Sequence, residues 1–117
     1  MALARTVLII QEDPILLRIL ERLMMINHFE CTSIRNLEEL DIESQNSFDV
    51  VITDLLFEGV APRDFVFHIG EVILHSSLII ITSMGQAEVE QEIFEQKEVR
   101  GFFSVPLDFA QIEKLVA

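Results

Sequence analysis

Short apolar runs recur along the chain at intervals typical of a buried parallel sheet. Residues 6–10, 48–53 and 78–82 are stretches of mainly β-branched and apolar residues bounded by polar ones. A strand with one face in water would alternate polar and apolar positions, so runs of this kind indicate strands covered on both faces. Two shorter runs, 29–34 and 101–104, complete a set of five predicted strands.

The segments between the predicted strands contain the capping residues and apolar spacing typical of helices. Asp13 followed by Pro14 predicts an N-cap and a first helical position, and the residues after them repeat with the spacing of one helix face. Asn36 and Glu39 have the spacing of a capping box and predict the start of a second helix. The predicted buried stripe of the first helix comprises Leu16, Ile19, Leu20 and Leu23.

Three more helices are predicted in the second half of the chain. The third covers residues 61–70 and ends near Gly70, because glycine is a poor helix former. The fourth covers residues 84–97, and the fifth begins at Asp108. The predicted buried stripe of the fifth helix comprises Phe109, Ile112 and Val116.

The strict alternation of five strands and five helices predicts the fold class. It is α/β, a three-layer (βα)5 domain with a central parallel five-stranded sheet and helices on both faces. A chain of 117 residues is long enough for one core and too short for two, so residues 1–117 are predicted to form one domain. In such sheets function gathers at the carboxyl ends of the strands.

Composition narrows the classes of partner. The net charge of −12 argues against direct binding of nucleic acid, because an acidic surface repels phosphates. No apolar run approaches the roughly 20 residues that span a bilayer, and the start of the chain lacks a signal-peptide pattern. We therefore expect a cytoplasmic domain without membrane contact.

Cys31 is the single cysteine and is interpreted as a small core residue.

Polar side chains cluster where the predicted strands end. Asp13 has a structural interpretation as an N-cap, and Thr82 could simply end a strand. Asp54 is harder to explain in this way, because a carboxylate at the end of a buried strand is costly without a partner. Carboxylates and hydroxyls on one rim suit a hard cation such as Mg²⁺. The strand-end residues are Gln11, Glu12, Asp13, Thr53, Asp54, Thr82, Ser83, Ser104, Val105 and Pro106.

Four segments together resemble the receiver domain of response regulators in two-component signalling. Residues 7–14 resemble the opening strand with its acidic pair, and residues 48–55 the segment that ends in the phospho-acceptor aspartate. Residues 78–83 are similar to the strand with the switch hydroxyl, and residues 101–107 to the strand before a lysine-proline turn. The resemblance spans the whole chain in order and implies a flavodoxin-like fold.

The resemblance implies a role for several residues. Asp54 would be the phospho-acceptor, Thr82 the hydroxyl that follows the phosphoryl group, and Phe102 the switch aromatic. It also implies a Mg²⁺ ion held by Glu12, Asp54 and the carbonyl of Leu56.

Two positions depart from the pattern of that family. Gln11 replaces the first acid of the pair, which removes a negative charge from the metal site and should weaken Mg²⁺ binding. Val105 stands where the family has its lysine before the proline. Valine cannot supply a positive charge or a hydrogen bond to a phosphoryl group. Both losses should weaken transfer of a phosphoryl group to Asp54.

Two functions remain open within the family. An active receiver would accept a phosphoryl group from a histidine kinase on Asp54 with Mg²⁺, as Thr82 and Glu12 favour. A pseudo-receiver would keep the fold and act through protein contacts with impaired or absent phosphorylation, as Gln11 and Val105 favour. We favour the pseudo-receiver and keep the active receiver as the alternative.

Two unrelated functions are disfavoured. A flavodoxin-type electron carrier would need a glycine- and hydroxyl-rich loop after the first strand and aromatic side chains for the flavin. Residues 11–14 supply no such loop, and the chain has no Trp or Tyr. A haloacid-dehalogenase-type phosphatase would place a second aspartate where Leu56 stands. We therefore expect a signalling module rather than an enzyme.

The resemblance also implies partners. A histidine kinase or phosphotransfer protein would dock near the acceptor aspartate, and an output surface would be formed by the fourth helix, the fifth strand and the fifth helix. Because the fourth predicted helix is strongly acidic, symmetric pairing through it would be repulsive, and a partner with a basic segment is expected. Its charged residues include Glu88, Glu90, Glu92, Glu95, Lys97 and Glu98.

Overall fold

The computed structural model describes most of the chain. The described residues are 5–36, 39, 47–55, 60–72, 74–82, 99–104 and 109–116. The strands are β1 (Arg5–Ile10), β2 (Phe29–Ile34), β3 (Ser47–Thr53), β4 (Leu74–Thr82) and β5 (Val99–Ser104). The helices within the described ranges are α1 (Pro14–Ile26), α2 (Pro62–Val72) and α3 (Phe109–Val116).

The five strands form one sheet in the order β2-β1-β3-β4-β5, and every neighbouring pair is parallel. The predicted fold class is therefore confirmed. The chain first builds outward from β1 to β2 and then crosses to the other side of β1 to add β3, β4 and β5. The direction of building thus reverses between β1 and β3, and this is where α/β sheets open a crevice for ligands.

Two apolar layers cover the sheet. On one face, α2 contributes Phe65, Val66 and Ile69 to a cluster with alternate residues of the strands. On the other face, α1 and α3 pack together over the remaining alternate residues, with Leu20, Met24 and Ile112 fully buried. This division follows from the strand geometry, because successive side chains of a strand point to opposite faces. All the apolar residues of β1 from Val7 to Ile10 are completely buried.

The buried face of α1 differs from the predicted one. The buried positions are Leu17, Leu20 and Met24, whereas Ile19 is 42% exposed, so its assignment to the buried stripe was wrong. The helix is apolar around most of its circumference, and several alternative stripes satisfy helical spacing. Packing of α1 against β1 and β2 selects which of them is buried.

Several element boundaries also differ from the predicted ones. Gly70 does not end α2, which continues to Val72; a Cβ at Gly70 would contact nothing within 4 Å, and the helix tolerates the glycine there. β4 begins at Leu74, four residues before the predicted start, and β5 begins at Val99, two residues early. The predicted helix over residues 84–97 lies outside the described residues.

The predicted capping box after β2 is present with one change of partner. The Glu39 N–H donates to Asn36 Oδ1 at 3.0 Å, as expected for an N-cap. In return, Glu39 Oε2 accepts from the N–H of Arg35 at 2.7 Å, one residue earlier than a standard capping box requires. The second predicted helix beyond these residues lies largely outside the described part of the chain.

A side-chain clamp sets the register of β1 and β3 at their amino ends. Asp49 Oδ2 accepts from the Thr6 N–H at 2.8 Å, and Thr6 Oγ1 accepts from the Asp49 N–H at 3.1 Å. The two residues lie directly opposite, one position before the Val7 and Val50 pair that begins the ladder. Since a slip of one residue would move apolar side chains to the wrong face, this clamp supports the register that buries both faces.

Cys31 is half-buried on β2 and packs against the cluster beneath α1. Burial raises the pKa of the Cys31 thiol, and the negative charge of Glu21 raises it further. A thiol held protonated behaves as a small apolar group, which agrees with the interpretation of Cys31 as a core residue.

Within the described ranges, no helix is both long enough and apolar enough to cross a membrane.

Two phenylalanines on α2 test the packing of the core. Phe65 is 1% exposed and Phe67 is 41% exposed, although they lie two positions apart on the same helix. We expect Phe65→Ala to lower the free energy of unfolding by about 3 to 5 kcal/mol, because it leaves a cavity in a packed core. Phe67→Ala is the matched control and should cost about 0.5 kcal/mol or less. Urea melts of both variants measure the difference, and equal losses would contradict this assignment of the core.

Candidate functional site

The candidate site lies at the carboxyl ends of β1 and β3. Backbone hydrogen bonds continue the sheet past the last strand residues: the Gln11 N–H donates to Ile34 O at 3.1 Å, and the Asp54 N–H donates to Ile10 O at 3.3 Å. Gln11 and Asp54 therefore leave adjacent strands at the same level of the sheet, because Ile10 is paired with Thr53. The structure brings these two predicted site residues together at the crevice.

Gln11 is a structural part of this rim. Its side chain is buried, with 4% of its surface exposed, and its Oε1 accepts a hydrogen bond from the Asp13 N–H at 3.1 Å. The amide oxygen thus braces the loop that leads from β1 into α1. An aspartate in its place would bring a negative charge into this buried position, whereas glutamine satisfies the backbone N–H without one.

Asp54 is half-buried, and its carboxylate is tied to the backbone. Oδ1 accepts from the Leu55 N–H at 2.6 Å, a short charge-assisted hydrogen bond. Leu55 itself is fully buried in the cluster on the α2 face. The apolar anchor after Asp54 holds the carboxylate at the end of β3, where it remains partly accessible.

Two buried threonines also lie at the carboxyl ends of the strands. Thr53 is buried, and its Oγ1 donates to the carbonyl of Asp54 at 2.8 Å. Thr82, the predicted switch hydroxyl, is also buried at the end of β4. Because Thr53 is paired with Ile80, Thr82 lies two residues further along the sheet, beside the Asp54 turn. Thr82 is therefore on the same rim as Asp54.

The loop after β1 carries the remaining polar groups. Asp13 is the N-cap of α1: its Oδ1 accepts from the Ile15 and Leu16 N–H groups at 2.9 and 3.4 Å, which confirms the N-cap prediction. Glu12 is exposed, and its carbonyl accepts from Arg35 Nη2 at 3.5 Å. Arg35 follows β2 as Asp54 follows β3, so three neighbouring strands contribute polar residues to this edge.

Sequence reasoning placed Thr53 at the end of the third strand without giving it a role, and it missed Arg35. Arg35 could have been found from position alone, since it immediately follows β2. Phe102 is half-buried and packs against the cluster on the α2 face. Leu56 and Val105 lie outside the described residues, so their predicted roles stay predictions.

The described residues offer only a sparse set of metal ligands. No group of three or more His, Cys, Asp or Glu side chains in the described part of the chain is arranged to hold a metal ion. Glu12 and Asp54 supply carboxylates, but the amide oxygen of Gln11 already accepts a backbone hydrogen bond. Mg²⁺ can be held by one or two carboxylates and waters, so the residues fit a weakly bound ion.

Solved structures with the same fold are response-regulator receiver domains. A CheY-like receiver domain from Methylobacillus flagellatus superimposes with a TM-score of 0.82 at 15% identity, covering 97% of each chain. A receiver domain from Clostridium thermocellum has a TM-score of 0.76 at 20% identity, covering 96% of this chain and 90% of that one.

A third similar structure is a response regulator from Burkholderia pseudomallei with a phosphorylated aspartic acid, a calcium ion and citrate. Its TM-score is 0.79 at 11% identity, and the match covers 97% of this chain and 66% of that one. No protein-family model matches the sequence, and no curated protein matches it. The structural similarity shows that the chain has the flavodoxin-like fold of receiver domains. Its sequence is only 11 to 20% identical to those of the three structures named above.

The N-cap provides a direct test of how the loop beside the site is held. Asp13→Ala removes the acceptor for two N–H groups at the start of α1 and should destabilise the protein by about 1 kcal/mol. Asp13→Ser keeps a capping oxygen and should retain most of the stability. Thermal melts of the two variants measure this; a serine variant as unstable as the alanine variant would show that capping is not the function of Asp13.

Proposed function

We propose that this chain is an atypical receiver domain in two-component signal transduction. In this proposal its phosphorylation is impaired or absent, and it acts mainly through protein contacts. The alternative within the same family is an active receiver that accepts a phosphoryl group on Asp54 with Mg²⁺.

The observation that carries the proposal is the state of Gln11. It stands where the resembling family has an acid, it is buried, and its oxygen is occupied by the Asp13 N–H. A neutral and already bonded amide attracts a divalent cation far less than a carboxylate does. The absence of the family lysine at Val105 supports the same conclusion, because the positive charge that stabilises a transferring phosphoryl group is missing.

The alternative function is favoured by Asp54 and Thr82. Asp54 is half-buried at the end of β3, so its carboxylate is partly accessible. The hydroxyl residue Thr82 lies on the same rim, at the end of β4. In phosphorylation, one carboxylate oxygen would attack the phosphorus of the donor's phosphohistidine and form an acyl phosphate, while the bond between phosphorus and the histidine nitrogen breaks and the histidine leaves. A bound Mg²⁺ would supply charge neutralisation, with Glu12 and Asp54 as its side-chain ligands and Leu56 as the carbonyl ligand implied by the family.

The proposed partners follow from the same resemblance. A histidine kinase or phosphotransfer protein would meet the Asp54 rim, and an effector would dock on the face that includes β5 and α3. On that face Leu115 is 41% exposed, and Gly101 lets it approach closely, since a Cβ there would lie 2.5 Å from Leu115 Cδ2. The depression beside it is lined by Gly101, Phe102, Phe103, Gln111, Lys114 and Leu115.

We further propose that the chain is a non-enzymatic signalling module of the cytoplasm that binds neither nucleic acid nor membrane. The charge of −12 supports both exclusions, because phosphate groups of nucleic acids and of anionic lipids repel an acidic surface.

Phosphorylation is tested with Mg²⁺ and acetyl phosphate. We expect little or no aspartyl phosphate by intact-mass spectrometry, because the cation site lacks one carboxylate and the lysine is absent. Asp54→Asn is the control and should show no mass increase from phosphorylation. Rapid and nearly complete addition of one phosphoryl group, dependent on Mg²⁺ and lost in Asp54→Asn, would favour the active receiver instead.

A repair experiment tests whether the two substitutions cause the defect. Gln11→Asp combined with Val105→Lys restores both charges, and phosphorylation at Asp54 should rise at least about tenfold above that of the parent. Gln11→Asn combined with Val105→Met changes the same positions without adding charge and should remain inert. If the folded repair variant stays inert as well, the account based on the two missing charges is wrong.

A further inference from the structure

Arg35 is the one basic residue among the described residues that directly follow β1, β2 and β3. The others in this group are Gln11, Glu12, Asp13, Asn36, Asp54 and Leu55. Arg35 comes immediately after β2 and is exposed. Because an arginine side chain is not deprotonated in proteins, a permanent positive charge lies at the edge of the sheet that carries the candidate site.

The sheet places Arg35 level with the other residues of the rim. Ile10 is paired with the last residue of β2 on one side and with the last residue of β3 on the other. Arg35, Gln11 and Asp54 each come one residue later, so they leave three neighbouring strands at the same level. Neighbouring strands lie about 4.8 Å apart, which puts the backbone of Arg35 about 10 Å from that of Asp54. Only the end of β1 separates the two residues.

The charged end of Arg35 reaches toward this rim. Its Nη2 donates to the carbonyl oxygen of Glu12 at 3.5 Å. A carbonyl is neutral, so this hydrogen bond leaves the positive charge of the guanidinium in place. The Arg35 backbone N–H donates separately to Glu39 Oε2 at 2.7 Å, which fixes the start of the loop after β2. The positive charge is thus held beside a residue that supplies one carboxylate of the candidate cation site.

The charges at this rim disfavour a bound divalent cation. Glu12 and Asp54 offer two carboxylates, while Gln11 is neutral. Asp13 adds little, because its carboxylate caps α1. Arg35 then adds a positive charge about 10 Å from the place where an ion would sit. At low salt, charges interact over this distance and like charges repel, so the guanidinium raises the free energy of a bound divalent ion.

We propose that Arg35 is a built-in cation of the rim, which partly neutralises Glu12 and Asp54 and weakens Mg²⁺ binding there. A side chain that is already attached to the domain loses no translational freedom when it takes this position, whereas a free ion does. The inference rests on the proposed function, because it concerns the same rim. It adds a second cause of weak Mg²⁺ binding to the loss of a carboxylate at Gln11.

The test is a titration of the ¹⁵N-labelled chain with Mg²⁺ at low ionic strength, followed by the amide signals of residues 11–13, 54 and 55. Arg35→Gln removes the charge and keeps a side chain that can donate hydrogen bonds. It should bind Mg²⁺ about fivefold more tightly than the parent, and this gain should shrink as KCl is added. Arg35→Lys keeps the charge and should bind Mg²⁺ as the parent does, within about twofold.

Arg22→Gln is the matched control, because it makes the same chemical change and the same change in net charge. Arg22 is exposed and lies about 12 Å along α1 from Pro14, away from the rim. Its substitution should raise the Mg²⁺ affinity by less than about twofold. Both arginines are exposed, so the variants should fold, and circular dichroism checks that they do.

The comparison is repeated in the Gln11→Asp variant, where the added carboxylate should tighten Mg²⁺ binding enough to measure it if the parent binds too weakly. Adding Arg35→Gln should again raise the affinity about fivefold. The two accounts can fail separately. If Gln11→Asp does not tighten binding, the proposed function loses its metal argument; the effect of Arg35 is read from pairs that differ only at Arg35.

Four results would overturn the inference about Arg35. The first is no gain from Arg35→Gln in either background, which includes the case in which no variant binds Mg²⁺. The second is a gain from Arg35→Lys equal to that from Arg35→Gln, because the charge would then not be the cause. The third is an equal gain from Arg22→Gln, and the fourth is a set of Mg²⁺-dependent shifts centred away from residues 11–13, 54 and 55.

Discussion

Burial of β1 on both faces is the constraint on which the rest of the structure depends. Its apolar residues from Val7 to Ile10 are completely buried, with β2 and β3 bonded on either side and helices above and below. A strand enclosed in this way cannot carry polar side chains along its length, so the polar residues that follow it collect at its carboxyl end. Gln11, Glu12 and Asp13 occupy that end, and the reversal of strand order places Asp54 beside them.

The rim is built largely from side chains that bond to the backbone. Gln11 braces the Asp13 N–H, Asp13 caps α1, Thr53 bonds the Asp54 carbonyl, and Asp54 bonds the Leu55 N–H. These contacts satisfy polar groups of the rim by hydrogen bonds within the chain. The buried, neutral and already bonded side chain of Gln11 is the physical reason that we favour a receiver whose output depends on surfaces more than on phosphorylation.

The depression between β5 and α3 lies at one edge of the sheet. Two phenylalanines and Leu115 supply apolar contact area there, and Gln111 and Lys114 supply polar groups. A docking surface of this kind needs a rigid core beneath it, which the doubly covered sheet supplies.

The sequence by itself determined the five strands, the α/β class, the N-cap at Asp13 and the position of Asp54 at a strand end. These features follow from local periodicity and capping chemistry, which neighbouring residues largely set. Only the tertiary structure decided which stripe of α1 is buried, because several stripes have helical spacing and contact with the sheet selects one; Ile19 is exposed for this reason. The hydrogen bond from Arg35 to the carbonyl of Glu12 was likewise decided by tertiary structure. It depends on the pairing of β1 with β2, which no local pattern encodes.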